Sequence, residues 1–554
     1  MGTGGESASA RPKGNGRVAV VGVGSTGLCM LKALREDGYS VTAYERRDKV
    51  GGIWAYTDNT SYTTVLPATR ANLSKFTCGF SDYPMPDKYP TYMQAHHYQE
   101  YMEDFAKHFD LLKDIIFGTS VKQARRNSDD TAWLLDIEKD DGTGETVEYD
   151  KIVFCSGYQT KASIPTFEGQ DKFEGTILHS QAYRNADPFK DKKVVVIGLS
   201  STSGDIIPDL MPVASKVYVS HRRGALPFKR YHKGTPQDLG ITWRRRQLSH
   251  IATRYFPRAS KWLADTATNF LVNRTWNLDP TWRLTPVPSI TLVLPGSFEL
   301  VMPLLQDGSL TSLHGITRFV GPKAIEFADG TVVDDVDAVI LCTGYGADWN
   351  PVAPFIESSA TVPNKPDYKG PPLYRLYMNL FPPKYADSCV LLNYSAFGKN
   401  NGFSFASVTA WAVSNVLRGA EPVPSREEME AHIDRHHEWV ADRWAQDKTT
   451  DTSAVRQWEF QRFLHTVAGT GMAENLGWGW KGWLFWLRDR KLSGLMNDGV
   501  ETAHAFSFFE TGKRPTWEGA RDEILRVNDM VKGMFPAKKV DWPPEVESKV
   551  FKSR

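Results

Sequence analysis

The sequence predicts an α/β protein in which one kind of parallel-sheet unit occurs twice, with a helical insertion in the second unit and a helical region at the C-terminus. Three observations carry this. A short apolar, β-branched run enters a turn of small residues and then a helix at "VAVVGVGSTGLC" (18–29), and again at "VVVIGLSSTSGD" (194–205). A hairpin leading into a buried strand follows in each unit, ending "VFCSGY" and "VILCTGY". From about Pro422 onward the pattern is helical and rich in Trp. Strands alternating with helices in this way point to parallel sheets covered on both faces.

Residues 1–16, "MGTGGESASARPKGNG", are small and polar and read as a flexible tail. They have neither the apolar core of a secretory signal nor a myristoylation site. The first unit is expected over 17–165. Val18–Val21 is its first strand, about Thr26 to Asp37 its helix, and "YSVTAYE" its next strand. Tyr98, Tyr101, Met102, Phe105 and Phe109 fall on one helical face. "TAWLLDIEKDDGTGETVEYDKIVFCSGY" reads as a meander ending in the strand Ile152–Cys155. The second unit is expected over 166–335, with an Arg-, Trp- and Pro-rich insertion at about 225–300. An Asp329-Gly330 hairpin leads to its last strand. The two similar endings suggest a chain that visits one large sheet system twice. Residues 336–554 are expected to return to the first unit and end in the helical region.

The first turn is Gly22-x-Gly24-x-x-Gly27. Gly22 permits the tight turn, Gly24 lets backbone approach a pyrophosphate, and Gly27 lets the helix pack on the strand. Ser25 and Thr26 sit at the helix N-terminus, where N–H groups and the helix dipole favour an anion. Glu45 ends the second strand, 18 residues beyond Gly27, where a carboxylate meets ribose hydroxyls and repels a 2′-phosphate. Strand, turn, helix and acid together make this a Rossmann-like site for FAD or NAD(H). The second turn, Gly198-x-Ser200-x-x-Ser203, has serines at its second and third positions, with Ser201 and Thr202 between them. Its strand ends in His221-Arg222-Arg223. Guanidinium groups there suit a 2′-phosphate, which selects NADPH. The second turn therefore reads as specialised, with FAD in the first site and NADPH in the second.

Composition removes several other classes. Lys+Arg number 66 and Asp+Glu 65, so no excess of charge calls for nucleic acid or an anionic membrane. The five cysteines contain no CxxC pair, which argues against a disulfide framework or a metal site and for a reducing, cytoplasmic compartment. No apolar run is long enough to span a bilayer. "WGWKGWLFWL" (Trp478–Leu487) is too short to cross one, and core packing is the first reading of it, ahead of a substrate entrance or a membrane surface.

Two further motifs bring a family into view. "ERRDKVGGIW" places Gly51-Gly52-Ile53-Trp54 shortly after Glu45, and "FEGTILHSQAYR" gives Phe173-x-Gly175-x-x-x-His179-x-x-x-Tyr183-Arg184. At this point the chain resembles the flavin-containing monooxygenases, the single-component FAD/NADPH family, from about Arg17 to about residue 535. The resemblance implies two Rossmann-like domains, cofactor contacts from Gly52, Ile53 and Trp54, and an FxGxxxHxxxY segment that couples the domains. It also implies that Asn72, in "RANLSKFTCGFSDYPMP", lies beside the flavin. Ala71 departs from the family's common Ser or Thr, and the stretch between Tyr62 and Asn72 is longer than usual. The serines of the second turn depart from its glycine-rich pattern. The implied reaction passes one oxygen atom of O2, through a C4a-hydroperoxyflavin, to an amine nitrogen or thioether sulfur of a small molecule. Asn72 would be the residue beside the chemistry, and NADP⁺ would stay bound. The helix opening near Phe403 either points its N-terminus at the flavin, where its dipole would stabilise negative charge, or is an ordinary buried helix. A Baeyer–Villiger oxygenase would carry Trp where Tyr183 stands, a disulfide reductase would need a redox cysteine pair, and a non-oxygenating flavin sensor remains as a reading from another class. Monomer and homodimer stay open.

Overall fold

The computed structural model describes residues 13–392 and 402–535 of the chain. The expected tail over residues 1–16 lies mostly outside them. Two five-stranded parallel sheets organise the molecule. The first runs in the spatial order Cys389–Leu391, Lys151–Phe154, Arg17–Val21, Ser40–Tyr44, Ile115–Ile116. Val18, Ala19 and Val20 are all 0% exposed, because the central strand is covered on both faces, as its unbroken apolar run requires. The helix Ser25–Glu36 packs Leu28, Met30, Leu31 and Leu34 inward, against the long helix Gly402–Leu417. Cys29 and Ser407 meet across that interface, sulfur to oxygen, at 3.7 Å.

The second sheet runs Leu310–Leu313, Lys216–Ser220, Lys193–Ile197, Ala338–Leu341, Thr176–His179. In both sheets the strand that enters the turn lies at the centre, between the strand that follows its helix and a strand from much later in the chain. The sheet order reverses there, so the C-terminal ends of these two central strands open onto a crevice that suits a ligand. The meander expected before the first buried strand is present as the antiparallel strands Thr119–Arg126, Trp133–Lys139 and Gly144–Tyr149. Its counterpart in the second unit is Ile316–Gly321, Ala324–Phe327 and Val332–Val333.

Three expectations need correction. The endings "VFCSGY" and "VILCTGY" belong to two separate sheets, not to one sheet visited twice. The strand Ala338–Leu341 pairs with Lys193–Ile197 and with Thr176–His179, so the second sheet extends beyond the boundary expected at residue 335. The chain then returns to the first sheet through Cys389–Leu391. Third, the tryptophan segment is not core: Trp478, Trp480 and Trp483 are 57%, 71% and 58% exposed. Its helix, Trp480–Arg488, buries only Gly482. A run of Trp and Leu is consistent with burial, but only the packing decides which helix of a bundle is outermost. The insertion forms two helices, Trp243–Tyr255 and Pro257–Trp276. Among the described residues no helix is long and apolar enough to cross a membrane. The five cysteines are all buried, and none of them forms a disulfide.

Candidate functional site: two phosphate turns and the loop between them

The first turn is built as its glycines require. Gly22 has φ +93°, a region that L side chains rarely adopt. A Cβ on Gly27 would lie 1.9 Å from the Gly22 carbonyl oxygen. The helix behind it starts at Ser25 with no side-chain cap and no acidic residue in its first turn, so its N–H groups and dipole are free for an anion. Gly24 faces Gly52 so closely that a Cβ on Gly52 would lie 3.2 Å from the Gly24 Cα. The Gly52–Trp54 turn is docked there by Gly51, whose N–H donates to the Val23 carbonyl at 3.1 Å. Arg47, buried, donates to the carbonyls of Gly52 and Thr63 at 2.7 and 2.6 Å and holds the same turn from behind. Trp54 stacks at a tilt on Tyr98, with ring centroids 4.3 Å apart.

Glu45 stands at the end of its strand, buried. Its two oxygens accept from the N–H groups of Val23 and Arg47, both at 3.0 Å. This fixes the carboxylate at the mouth of the turn and leaves lone pairs for ribose hydroxyls. A glycine cradle, an uncapped helix N-terminus and an oriented carboxylate are the donor set an adenine dinucleotide needs, so the residues present fit FAD.

The second turn has the same frame with different side chains. Gly198 has φ +105°, and a Cβ there would lie 2.3 Å from the Cys342 carbonyl oxygen. Ser200 and Ser201 are exposed and Thr202 half-buried at the N-terminus of the helix Ser201–Leu210. Ser203, expected among the phosphate ligands, is fully buried. Its hydroxyl accepts from the Ser200 N–H and donates to the Ser200 carbonyl, both at 2.8 Å, so it caps its own helix. The two arginines also differ. Arg222 is exposed, and no ion pair or hydrogen bond engages its side chain among the described residues. Arg223 forms an ion pair with Asp447, at the end of the helix Arg426–Gln446. Arg222 therefore is the one with its guanidinium available to a 2′-phosphate. His221 beside them is neutral. Burial pulls it down to about 4, and its ring is tied to Trp282, Ser312 and Gly224.

The FxGxxxHxxxYR segment joins the two units physically. His179 Nδ1 accepts from the Gln181 N–H at 3.0 Å, so Nε2 carries the proton and donates to the Gly344 carbonyl at 3.1 Å. The Gln181 amide donates to Thr63 Oγ1 at 2.8 Å and to the Thr160 carbonyl at 3.1 Å. Arg184 reaches the carbonyls of Thr57, at 2.7 Å, and Tyr62, at 3.1 Å. Tyr183 is buried, stacked on Phe189, and donates to Asp209 at 2.7 Å. His179 is thus a structural link.

Asn72 is exposed, between buried Ala71 and the half-buried Leu73, on a loop gripped from the second unit. Arg230 donates to the carbonyls of Arg70 and Ala71, both at 2.9 Å. Thr69 donates to Asp205, in the helix of the second turn, at 2.9 Å. Burial raises the Asp205 carboxyl to about 6, against the lowering effects of Thr69 and Arg230. Sequence patterns marked Asn72 but not Arg230, Asp205, Gln181 or Thr69. Gln181 and Asp205 lie within the quoted stretches but at positions to which the motifs assign no role, Arg230 and Thr69 lie in none, and each acts on a residue more than a hundred positions away.

The profile of a family described as "Flavin-binding monooxygenase-like" matches residues 15–552. "Monooxygenase aurF" of Gibberella zeae is 34% identical over 519 residues, covering 93% of this chain and 98% of that protein. "Flavin-containing monooxygenase 5" of Homo sapiens is 29% identical over 529 residues, covering 93% and 92%. Among solved structures, S-allyl-L-cysteine S-oxygenase from Allium sativum superposes with a TM-score of 0.60 at 19% identity, over 94% of this chain and 99% of that one. With the two turns, Glu45 and the linking segment in place, the chain belongs to the flavin-binding monooxygenase-like family and is a flavin-dependent monooxygenase that uses FAD and NADPH.

Proposed function

We propose that this monooxygenase transfers one oxygen atom of O2 to a soft nucleophile, an amine nitrogen or a thioether sulfur, of a small molecule. When bound, FAD supplies the oxygen-activating chemistry, with NADPH as its source of hydride. The protein's part is to bind, orient and exclude water. Gly22, Gly24, Ser25, Thr26, Gly27, Glu45, Gly52, Ile53 and Trp54 would hold the flavin nucleotide. Gly198, Ser200, Ser201, Thr202, Arg222 and Arg223 would hold NADPH, with Arg222 the principal contact to the 2′-phosphate and Ser203 shaping the turn. Asn72 would donate and accept hydrogen bonds beside the reacting oxygen without titrating.

The observation that carries this reading is the grip on the Asn72 loop. Arg230 and Asp205 come from the NADPH-side unit, so occupancy of that unit bears directly on where Asn72 sits. A soft nucleophile needs no dedicated base, which suits an amide as the residue beside the chemistry. Tyr183 in the linking segment favours this chemistry over attack on a ketone. Rapid mixing of NADPH-reduced protein with O2 tests it. A spectral species distinct from both oxidised and reduced flavin is expected to live for seconds. A tertiary amine or thioether should hasten its decay and yield the N- or S-oxide, and Asn72→Ala should divert reducing equivalents to hydrogen peroxide. Reoxidation in one step would remove the soft-nucleophile reading, and ester formation from a ketone would replace it with a Baeyer–Villiger one.

A further inference from the structure

We infer that Arg246 and Glu501 form a polar subsite for the substrate, which takes a neutral group presenting a hydrogen-bond acceptor and a donor side by side, as a carboxamide or a hydroxy-carbonyl edge does. The inference rests on the oxygenase reading above. The two residues lie 255 positions apart, in the insertion helix and in the C-terminal region, and meet at 2.7 Å, Nη2 to Oε2. Their side chains are 10% and 7% exposed. Arg246 Nε and Nη1 and Glu501 Oε1 are buried and have no hydrogen-bond partner among the described residues. Each unmet polar atom of this kind costs about 1–3 kcal/mol unless water or a ligand satisfies it.

All three atoms belong to side chains that line one cavity of about 30 Å³, roughly twice the ~10–15 Å³ that one water needs, so it has room for two small polar atoms side by side. It therefore accepts the polar edge of a ligand, not the whole of one. Its position ties it to the reaction. Leu73, the neighbour of Asn72, and Thr77 form one side. Phe405, in the helix Gly402–Leu417, forms another, with the Arg246 guanidinium 5.8 Å from its ring. Ile241 and Phe506 complete apolar walls suited to a carbon skeleton.

The charges choose the chemical class. Glu501 and Asp238 are the carboxyl groups of the lining, and Arg246 is its guanidinium. Burial pulls His250 down to about 4 and His465 down to about 3, and Arg246 reinforces both shifts, so the nearby imidazoles are neutral. Asp238 is already occupied, because one of its oxygens accepts from the Ser74 N–H and from the hydroxyls of Ser74 and Thr77. A substrate carboxylate would add a third negative group to one positive one. A cation would meet Glu501 and leave the Arg246 donors unmet. A neutral acceptor–donor edge satisfies both partners at once. A buried ion pair of this kind is weak evidence for stability, since apolar replacements of similar volume are often as stable.

The test uses the FAD-loaded protein and calorimetric binding of three probes, without NADPH: para-methylthio-benzamide, para-methylthio-benzoate and thioanisole. The benzamide should bind at least about tenfold more tightly than the other two. Arg246→Met should remove that preference. Because this change strands a buried carboxylate, the double variant Arg246→Met/Glu501→Leu carries the test if the single variant fails to fold. Thioanisole should bind the double variant as well as before or better, and the benzamide should lose its advantage. No benzamide preference in the parent protein, or a preference that survives in the double variant, overturns the proposal and leaves the cavity to a water. Benzamide that binds preferentially but is never oxidised leaves the subsite standing and removes the soft-nucleophile reading. Thioanisole oxidation with no benzamide preference does the reverse.

Discussion

At Gly27 an added Cβ would lie 1.9 Å from the Gly22 carbonyl oxygen, whereas the equivalent position in the second turn is Ser203, 0% exposed and bonded to the Ser200 backbone at 2.8 Å. In the first turn the helix presses directly on the strand and needs no side chain to hold it. In the second turn the helix stands off far enough for a Cβ, and a hydroxyl fills the gap and caps the helix. The cap uses the Ser200 N–H, which removes one backbone donor from the mouth of the turn. On the proposed reading, binding there would lean more on side chains, on exposed Ser200 and Ser201 and on Arg222. The two turns would therefore divide the work differently: the first would recognise its nucleotide by backbone approach, the second by hydroxyl and guanidinium groups.

The largest effect should come from copying the second solution into the first. Gly27→Ser forces a side chain against rigid backbone, and the cost should exceed the roughly 1–3 kcal/mol of ordinary overpacking. Loss of the flavin absorbance bands and a lowered melting temperature are expected. A yellow, stable Gly27→Ser protein would break the comparison. Next, Arg222→Ala should raise the KM for NADPH roughly tenfold to a hundredfold, the size of a lost charge-assisted hydrogen bond, with little change for NADH. Arg223→Ala should move it far less, since Asp447 already holds that guanidinium. Equal effects on NADPH would show that Arg223 leaves Asp447 for the cofactor.

Asp205 gives a pH test. Its folded carboxyl is raised to about 6, above the unfolded value near 3.8, so the folded state holds the proton more tightly. Stability from this group is fully present below about pH 4 and is lost as pH rises to 6 and above. Asp205→Asn keeps an acceptor for Thr69 and removes the cost of ionising. It should therefore stabilise the protein by on the order of 2 kcal/mol at pH 8 and by almost nothing at pH 4. Denaturant midpoints at the two values check this, and a gain independent of pH would contradict the assigned cause. The smallest effect is expected from Ser203→Ala, about 1 kcal/mol for a lost cap, with NADPH affinity unchanged. A marked loss of NADPH affinity would show that the Ser203 hydroxyl turns outward to the phosphate.

Much of this site was legible in the chain itself. The first turn, the helix at Ser25–Glu36 and Glu45 follow from spacing within some thirty residues, because a strand, a tight turn and a helix dictate where glycine and carboxylate must fall. The contrast between Glu45 and Arg222 is equally local. The orientation of Ser203 was not legible, because a serine in a phosphate turn can bond a ligand or its own backbone, and only the packing of the helix places its hydroxyl on Ser200. The exposure of Trp480 escaped for a related reason: hydrophobicity says that a side chain gains from burial, not that a neighbour is there to bury it.

The sequence by itself determined the two strand–turn–helix units, their order and the different residues, Glu45 and Arg222, that end their second strands, since those depend on residues close in the chain. Tertiary structure alone decided that Ala338–Leu341 joins the second sheet, that Arg230 and Asp205 grip the Asn72 loop, and that Arg246 meets Glu501 across 255 positions. Such pairs carry no periodicity or spacing, because what brings them together is the packing of whole elements around the cores.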